Sequence, residues 1–177
     1  MHSQELEDLT LFLIRDTAEA DMWLDRWAVS YPTVRVAEIN RHDSLSQWQQ
    51  QLHPIWQTIR SETVVIVAHG AGVSGCLAWL YQTDIHAQKR IRHMLLVAPL
   101  QTALPDDPNH TLQRIRCHCP TALVIGKDDP HCPADWAQQQ ANLWRAKLLV
   151  SPHTGHLNQA LSGWQWGMKL LQEMLLS

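Results

Sequence analysis

Aromatic residues other than tryptophan are nearly missing from this chain: its 177 residues include one phenylalanine and two tyrosines beside nine tryptophans. A basic excess is missing too. Lys and Arg number 14 against 17 Asp and Glu, giving a formal charge of −3 and a sequence pI near 6.4. The basic residues are scattered, which removes the electrostatic reason to expect a nucleic-acid partner. No apolar run approaches the roughly 18 residues that argue for a membrane-spanning helix. The opening Met1–Asp8 is acidic and lacks the basic flank and apolar stretch of a secretory signal. A soluble cytoplasmic protein with no membrane partner is the expectation. Cys76, Cys117, Cys119 and Cys132 have neither CxxC spacing nor the density of a disulfide scaffold, so free thiols are expected. Internal repeats, low-complexity tracts and Gly/Ser linkers are absent, as are a Gly-rich phosphate loop and a dinucleotide fingerprint. No cofactor is expected.

What is present suits one domain spanning residues 1–177, with 45% hydrophobic content ample for a sizeable core. Short apolar, β-branched runs alternate with longer stretches of helical period, the signature of repeated βα units. Strands are expected at Leu9–Ile14, Thr33–Ile39, Thr63–Ala68, Ile91–Ala98, Thr121–Ile125 and Lys147–Val150. Helices are expected at Glu19–Ser30, Ser44–Arg60, Ala71–Gln82, Pro133–Leu143 and Asn158–Leu175. Right-handed crossovers then give a three-layer α/β/α sandwich around a mostly parallel six-stranded sheet, with its ligand site at the carboxyl ends of the strands. The long irregular stretch Pro99–His110, containing Pro105 and Pro108, is placed to cap a pocket. Most tryptophans fall at helical spacing and read as core packing against the sheet.

The stretch that carries chemistry is Val64–Gly75, an apolar strand running through Ala68-His69-Gly70-Ala71-Gly72 into a helix. This is the shape of a nucleophile elbow. In that motif, small residues two before and two after the nucleophile permit a sharp turn, and helix N-terminal N–H groups such as that of Ala71 face a developing oxyanion. Here the central residue is Gly70. Downstream, one strand ends in Gly126-Lys127-Asp128-Asp129-Pro130-His131-Cys132-Pro133, and the next leads into His153-Thr154-Gly155-His156-Leu157-Asn158. Nucleophile position, acid and histidine follow in α/β-hydrolase order.

Together with Trp23 and Trp27 in the first helix, Trp48 in the second, Asp128–Pro133 and Gly155-His156-x-Asn158, these motifs resemble the small YdeN-like serine hydrolases. That family of the α/β-hydrolase superfamily includes retinoblastoma-binding protein nine. The resemblance runs over nearly the whole chain and implies a minimal α/β-hydrolase fold. It implies Asp129 as the triad acid, with Asp128 as fallback, and His156 as the histidine. His69 matches the residue that shapes the elbow and is not the base. His131 and Asn158 then line the pocket region.

Two departures alter the chemistry that the family would predict. Glycine has no side chain with which to attack a carbonyl carbon, and loss of a triad serine typically costs about 10⁶ in turnover. Where the family carries a Gly-rich turn after the first strand, this chain reads Ile14-Arg15-Asp16-Thr17-Ala18. Asp16 near that spot would repel an oxyanion, and Arg15 could pair with an acidic ligand. A serine-to-glycine change made to trap a ligand would account for Gly70 but not for this turn. The expectation is a pseudo-hydrolase that keeps the pocket and binds a small molecule or a protein partner. The alternative is a hydrolase of small esters or amides with a relocated nucleophile, Ser74 or Cys132, or with water activated by His156 and Asp129. Cys76 reads as a core thiol. Asp129, His131, Cys132, His153 and His156 could converge, but their spacing is not that of a zinc site, and polar pocket lining is the preferred reading. Cys117-His118-Cys119 reads as structural, and Gln88–Arg92 as a solvated face.

Overall fold

The computed structural model describes residues 1–103 and 111–177; residues 104–110, including Pro105 and Pro108 of the expected capping loop, lie outside the described residues. In chain order the elements are α1 (Ser3–Glu7), β1 (Leu9–Asp16), α2 (Trp23–Ser30), β2 (Val34–Ile39), α3 (Leu45–Gln57), β3 (Thr63–His69), α4 (Ala71–Gln82), α5 (Ile85–Arg90), β4 (Ile91–Val97), α6 (Thr111–Arg114), β5 (Thr121–Lys127), α7 (Ala134–Trp144), β6 (Lys147–Thr154) and α8 (Gln165–Leu176). All six expected strands form one sheet in the order β2-β1-β3-β4-β5-β6, and every pairing is parallel. The sheet is thus wholly parallel.

Near-continuous apolar runs form the central strands because both faces are covered. Phe12 and Ile14 of β1 pack with Ile66 and Ala68 of β3 beneath α3, α4 and α7. Leu11 and Leu13, with Val65 and Val67, face α2 and α8. Helices on both faces give the expected three layers. The tryptophans supply much of the filling: Trp23, Trp27 and Trp164 cluster under α2 and α8, while Trp56 and Trp79 meet Phe12 on the opposite face. Trp136 and Trp166 are half-buried and the other seven are buried, as core packing requires. Buried indoles also bond: Trp23 Nε1 donates to the Leu157 carbonyl at 2.7 Å and Trp27 Nε1 to that of Gly163 at 2.8 Å. Those two bonds hold α2 to the segment after β6.

Several helix limits depart from the sequence expectation for identifiable reasons. The first long helix starts at Trp23 and not at Glu19, because the Arg15 guanidinium takes the Glu19 and Ala20 carbonyls at 2.7 and 3.1 Å and keeps that segment a turn. The last starts at Gln165 and not at Asn158. Leu161, Ser162, Gly163 and Trp164 all have positive φ, a left-handed run that drops the Trp164 ring beneath Gly167 of α8. The short helices α1, α5 and α6 were too brief to show a period. The basic run of α5 is also only partly solvated: Arg90 donates to the Ile59 and Ser61 carbonyls and lies 4.6 Å over the Trp56 ring.

Strand order reverses at β1, whose chain leaves toward β2 on one side while β3 continues toward β4 on the other. The loops leaving β1 and β3 therefore diverge at the carboxyl edge, the position where open α/β sheets bind ligands in a crevice. Gly72 sets how closely that crevice is built. A methyl group there would lie 2.5 Å from the Ile14 carbonyl oxygen, a backbone atom that cannot swing aside, whereas one at Gly75 would meet the Ile39 side chain at 3.3 Å. Gly72→Ala is expected to cost about 1–3 kcal/mol by overpacking, and Gly75→Ala less. Equal denaturation midpoints for the two variants would contradict this account of the crevice.

Candidate functional site

Gly70 stands between β3 and α4 with φ 59° and ψ −129°, in the left-handed half of the map where glycine is unstrained. The elbow expected from the sequence is formed. Its amide donates to the Val97 carbonyl at 2.9 Å, and its own carbonyl accepts from Val73 at 3.1 Å. Ala71 opens α4, and the N–H groups of a first helical turn have no carbonyl within the helix to bond. An ideal Cβ at Gly70 would have His156 Nε2 as its nearest neighbour, at 3.5 Å. The side chain that glycine lacks would thus reach the imidazole.

His156 follows β6, and its Nδ1 lies 2.7 Å from Asp129 Oδ2 in the loop after β5. Asp129, and not the exposed Asp128, is the acid that meets it. Both partners are buried, and Asp129 Oδ1 accepts the His131 amide at 2.8 Å. Burial pushes the Asp129 carboxyl up, but the His156 hydrogen bond and charge and the His131 amide outweigh it, leaving a net downward shift. His131 is exposed, with its ring centroid 5.0 Å from that of His156. His69, fully buried at the end of β3, places Nε2 2.9 Å from the His156 carbonyl oxygen. Burial, joined by the neighbouring His156 ring, lowers the His69 pKa to about 4.

The residue that sequence reasoning missed is Glu19. Its carboxylate enters the crevice with Oε1 3.7 Å from His156 Nε2, takes Arg41 Nη2 on Oε1 at 3.0 Å and accepts from Asn158 Nδ2 on Oε2 at 3.0 Å. The Arg15-Asp16 pair that departs from the family pattern builds the turn that presents it. Asp16 is fully buried and does not face an oxyanion position: its carboxylate accepts the Ala18 amide at 3.0 Å and Arg41 Nε at 2.7 Å. Arg15 does not reach toward a ligand either. Its Nη2 holds the Glu19 and Ala20 carbonyls, Nε lies 3.4 Å from Asp25, and Nη1 lies 3.8 Å from Glu38. Arg41, after β2, is the second missed residue. A charged residue standing alone in a turn carries no motif, and only the fold brings Glu19 and Arg41 to the elbow.

The relocated nucleophiles considered from sequence lie elsewhere. Ser74 and Cys76 are buried within α4. Cys132 packs with Ile125 and Ala137, and burial, with the Asp129 charge, pushes its thiol up to about 12. Burial likewise raises Cys117 to about 12 and Cys119 to about 11. Thiolate, the nucleophilic form, is therefore scarce at all three near neutral pH. The described residues whose potential ligand atoms do gather are Glu19, His69 and His156, not the group containing Cys132 and His153.

A parallel sheet, an elbow and an acid–histidine pair in this order define an α/β-hydrolase. Comparison with known proteins carries the assignment further: the serine hydrolase family model matches residues 15–173, and the chain belongs to that family. A YdeN-like hydrolase from Pectobacterium atrosepticum is similar over 97% of this chain and 93% of its own, with a TM-score of 0.79 and 20% identity. The ydeN gene product from B. subtilis is similar over 95% and 99%, with a TM-score of 0.67 and 16% identity. Est1E from Butyrivibrio proteoclasticus is similar over 95% and 88%, with a TM-score of 0.68 and 11% identity. No curated protein sequence matches the chain. Among the described residues, no helix is long and apolar enough to cross a membrane.

The low His69 pKa has a measurable consequence. In the unfolded chain a histidine takes up its proton near pH 6.5, whereas folded His69 waits until about pH 4. The unfolded state therefore binds more protons between those values, and stability falls as pH drops through that window, by about 2 kcal/mol at pH 5 from this residue. The paired Asp129 acts at lower pH, withdrawing its stabilisation below about pH 4. Chemical denaturation at pH 7 and pH 5 is expected to show a smaller loss for His69→Asn than for the wild type. Equal losses in the two proteins would refute the assignment.

Proposed function

We propose that this chain is a hydrolase-fold binding protein: it keeps the acid–histidine pair and the crevice but takes a ligand there without forming an acyl-enzyme. The observation that carries the reading is the pairing of Gly70 with Glu19. Gly70 offers no attacking atom, and the Glu19 carboxylate stands beside the nitrogen that would otherwise activate one. A fixed negative charge there opposes the oxyanion that ester or amide hydrolysis must develop, whereas a working site supplies donors. Arg41 and Asn158 hold Glu19 in position through both oxygens. The ligand class is a small molecule or a protein segment carrying groups that complement this carboxylate and the imidazoles.

One observation favours a second reading. The 2.7 Å contact of His156 Nδ1 with Asp129 leaves Nε2 without a hydrogen-bond partner, as a general base for water would have it. Hydrolysis of small esters or amides by activated water is the activity this would support. It requires Glu19 to leave the reacting space.

Hydrolysis of short-chain p-nitrophenyl esters separates the two. Wild type is expected to be inert and unlabelled by a fluorophosphonate, while Gly70→Ser in a Glu19→Ala background gains labelling that His156→Ala abolishes. Turnover by the wild type that disappears in His156→Ala would overturn the binding-protein reading in favour of activated water.

A further inference from the structure

Two imidazoles and a carboxylate meet beside Gly70; each imidazole has one nitrogen held, while the carboxylate is held at Oε1 by Arg41 and at Oε2 by Asn158. One potential ligand atom from each of Glu19, His69 and His156 lies within 4.8 Å of the other two. Asp129 engages His156 Nδ1 at 2.7 Å, and Nε2 is buried without a hydrogen-bond partner. The His156 carbonyl engages His69 Nε2 at 2.9 Å, and Nδ1 is likewise buried without one. A carboxylate and a carbonyl can only accept, so each ring, when neutral, donates its N–H to that partner and keeps its lone pair on the other nitrogen. A buried lone pair facing no donor is costly. At His156 a cation would satisfy it, since Nε2 lies 3.7 Å from Glu19 Oε1 and beside the space at Gly70.

We infer that Glu19, His69 and His156 form a binding site for a divalent transition-metal ion of the zinc class. The inference rests on the reading of this crevice as a ligand site and names the ligand. Two imidazoles with one carboxylate are a donor set that zinc accepts, and three protein ligands leave coordination positions open. Donors bound to tetrahedral zinc at ~2.0–2.1 Å stand about 3.3 Å apart. Glu19 Oε1 and His156 Nε2, at 3.7 Å, need close by only a few tenths of an ångström.

The surroundings have the form that metal sites use to orient their ligands. A carboxylate behind one histidine and a backbone carbonyl behind the other fix both tautomers, while Arg41 and Asn158 fix the carboxylate. Local charge agrees. The carboxylates of Asp16, Glu19 and Asp129 stand near the guanidinium of Arg41, which contacts the first two, while Arg15 holds the Glu19 main chain and pairs with Asp25 and Glu38. Glycine at position 70 leaves the space beside His156 Nε2 free of a side chain, where a serine would supply a hydroxyl. The expectation of no metal came from spacings along the chain. Glu19 is 50 residues before His69 and 137 before His156, a separation that no short motif encodes.

The test is titration of the chelator-stripped full chain with Zn²⁺ by calorimetry and with Co²⁺ by visible absorption. One equivalent is expected to bind, with ligand-field bands from Co²⁺ and a higher melting temperature with Zn²⁺. Asp129→Asn is expected to weaken binding by ~10–100-fold, and Glu19→Gln and His156→Gln by more. His42→Ala and His118→Ala, at exposed histidines, are expected to bind as the wild type does. Circular dichroism of each variant reports whether it is folded. No saturable one-to-one binding by the wild type, or binding retained in folded Glu19→Gln and His156→Gln, overturns the site. Ester turnover by the metal-free wild type would instead overturn the binding-protein reading, whatever the titration gives.

Discussion

The fully buried carboxylate of Asp16 is the constraint from which the rest of the crevice follows. It ends β1, accepts the Ala18 amide and takes both the backbone and the side chain of Arg41 from the loop after β2. One carboxylate thereby ties together the loops that leave β1 and β2. A charge removed from water must be neutralised and hydrogen-bonded to be tolerated, and Asp16 meets both conditions with Arg41. The same guanidinium reaches on to Glu19, so the position of the far end of the network is fixed by the end at Asp16.

The opposite wall depends on packing more than on charge. Trp23 lies against Trp27 and Trp164, and its indole N–H bonds the Leu157 carbonyl next to His156. The ring of Trp23 also meets His69 edge-on, with centroids 6.3 Å apart. Large rigid aromatic surfaces with a single directional donor suit this task, because they fill volume and set a loop's height together. The first layer of α2 thus supports both imidazoles, while the turn before α2 carries the carboxylate.

Much of the fold was legible because its signals are local. Alternating βα periodicity marked all six strands, and the apolar runs told of a sheet covered on both faces. The strand-to-helix turn at Gly70 and the strand ends that bring Asp129 to His156 were legible for the same reason, since each is a compact motif, while the family resemblance chose Asp129 over Asp128. Glu19, Arg41 and the true role of Arg15 were not. They act across a turn and a crossover, where meaning depends on which strands are neighbours, and no window of sequence contains that. The last helix misled for a different reason: its amphipathic period continues across Leu161–Trp164, but four successive positive φ values interrupt the backbone beneath it. Side-chain patterning reports burial, and it cannot see a chain reversing hand to bury one tryptophan.

The left-handed backbone at Gly70 has a consequence for how such a site changes over time. Any residue with a Cβ held at that φ stores strain of about 1–3 kcal/mol, which a working serine nucleophile must carry. Glycine releases it. A lineage no longer selected for a nucleophile therefore gains stability at this position by the same substitution that ends catalysis. Reversion then runs uphill against the folding equilibrium even where the rest of the machinery is intact. At such an elbow the change from serine to glycine is favoured by the backbone and the change from glycine to serine is opposed by it.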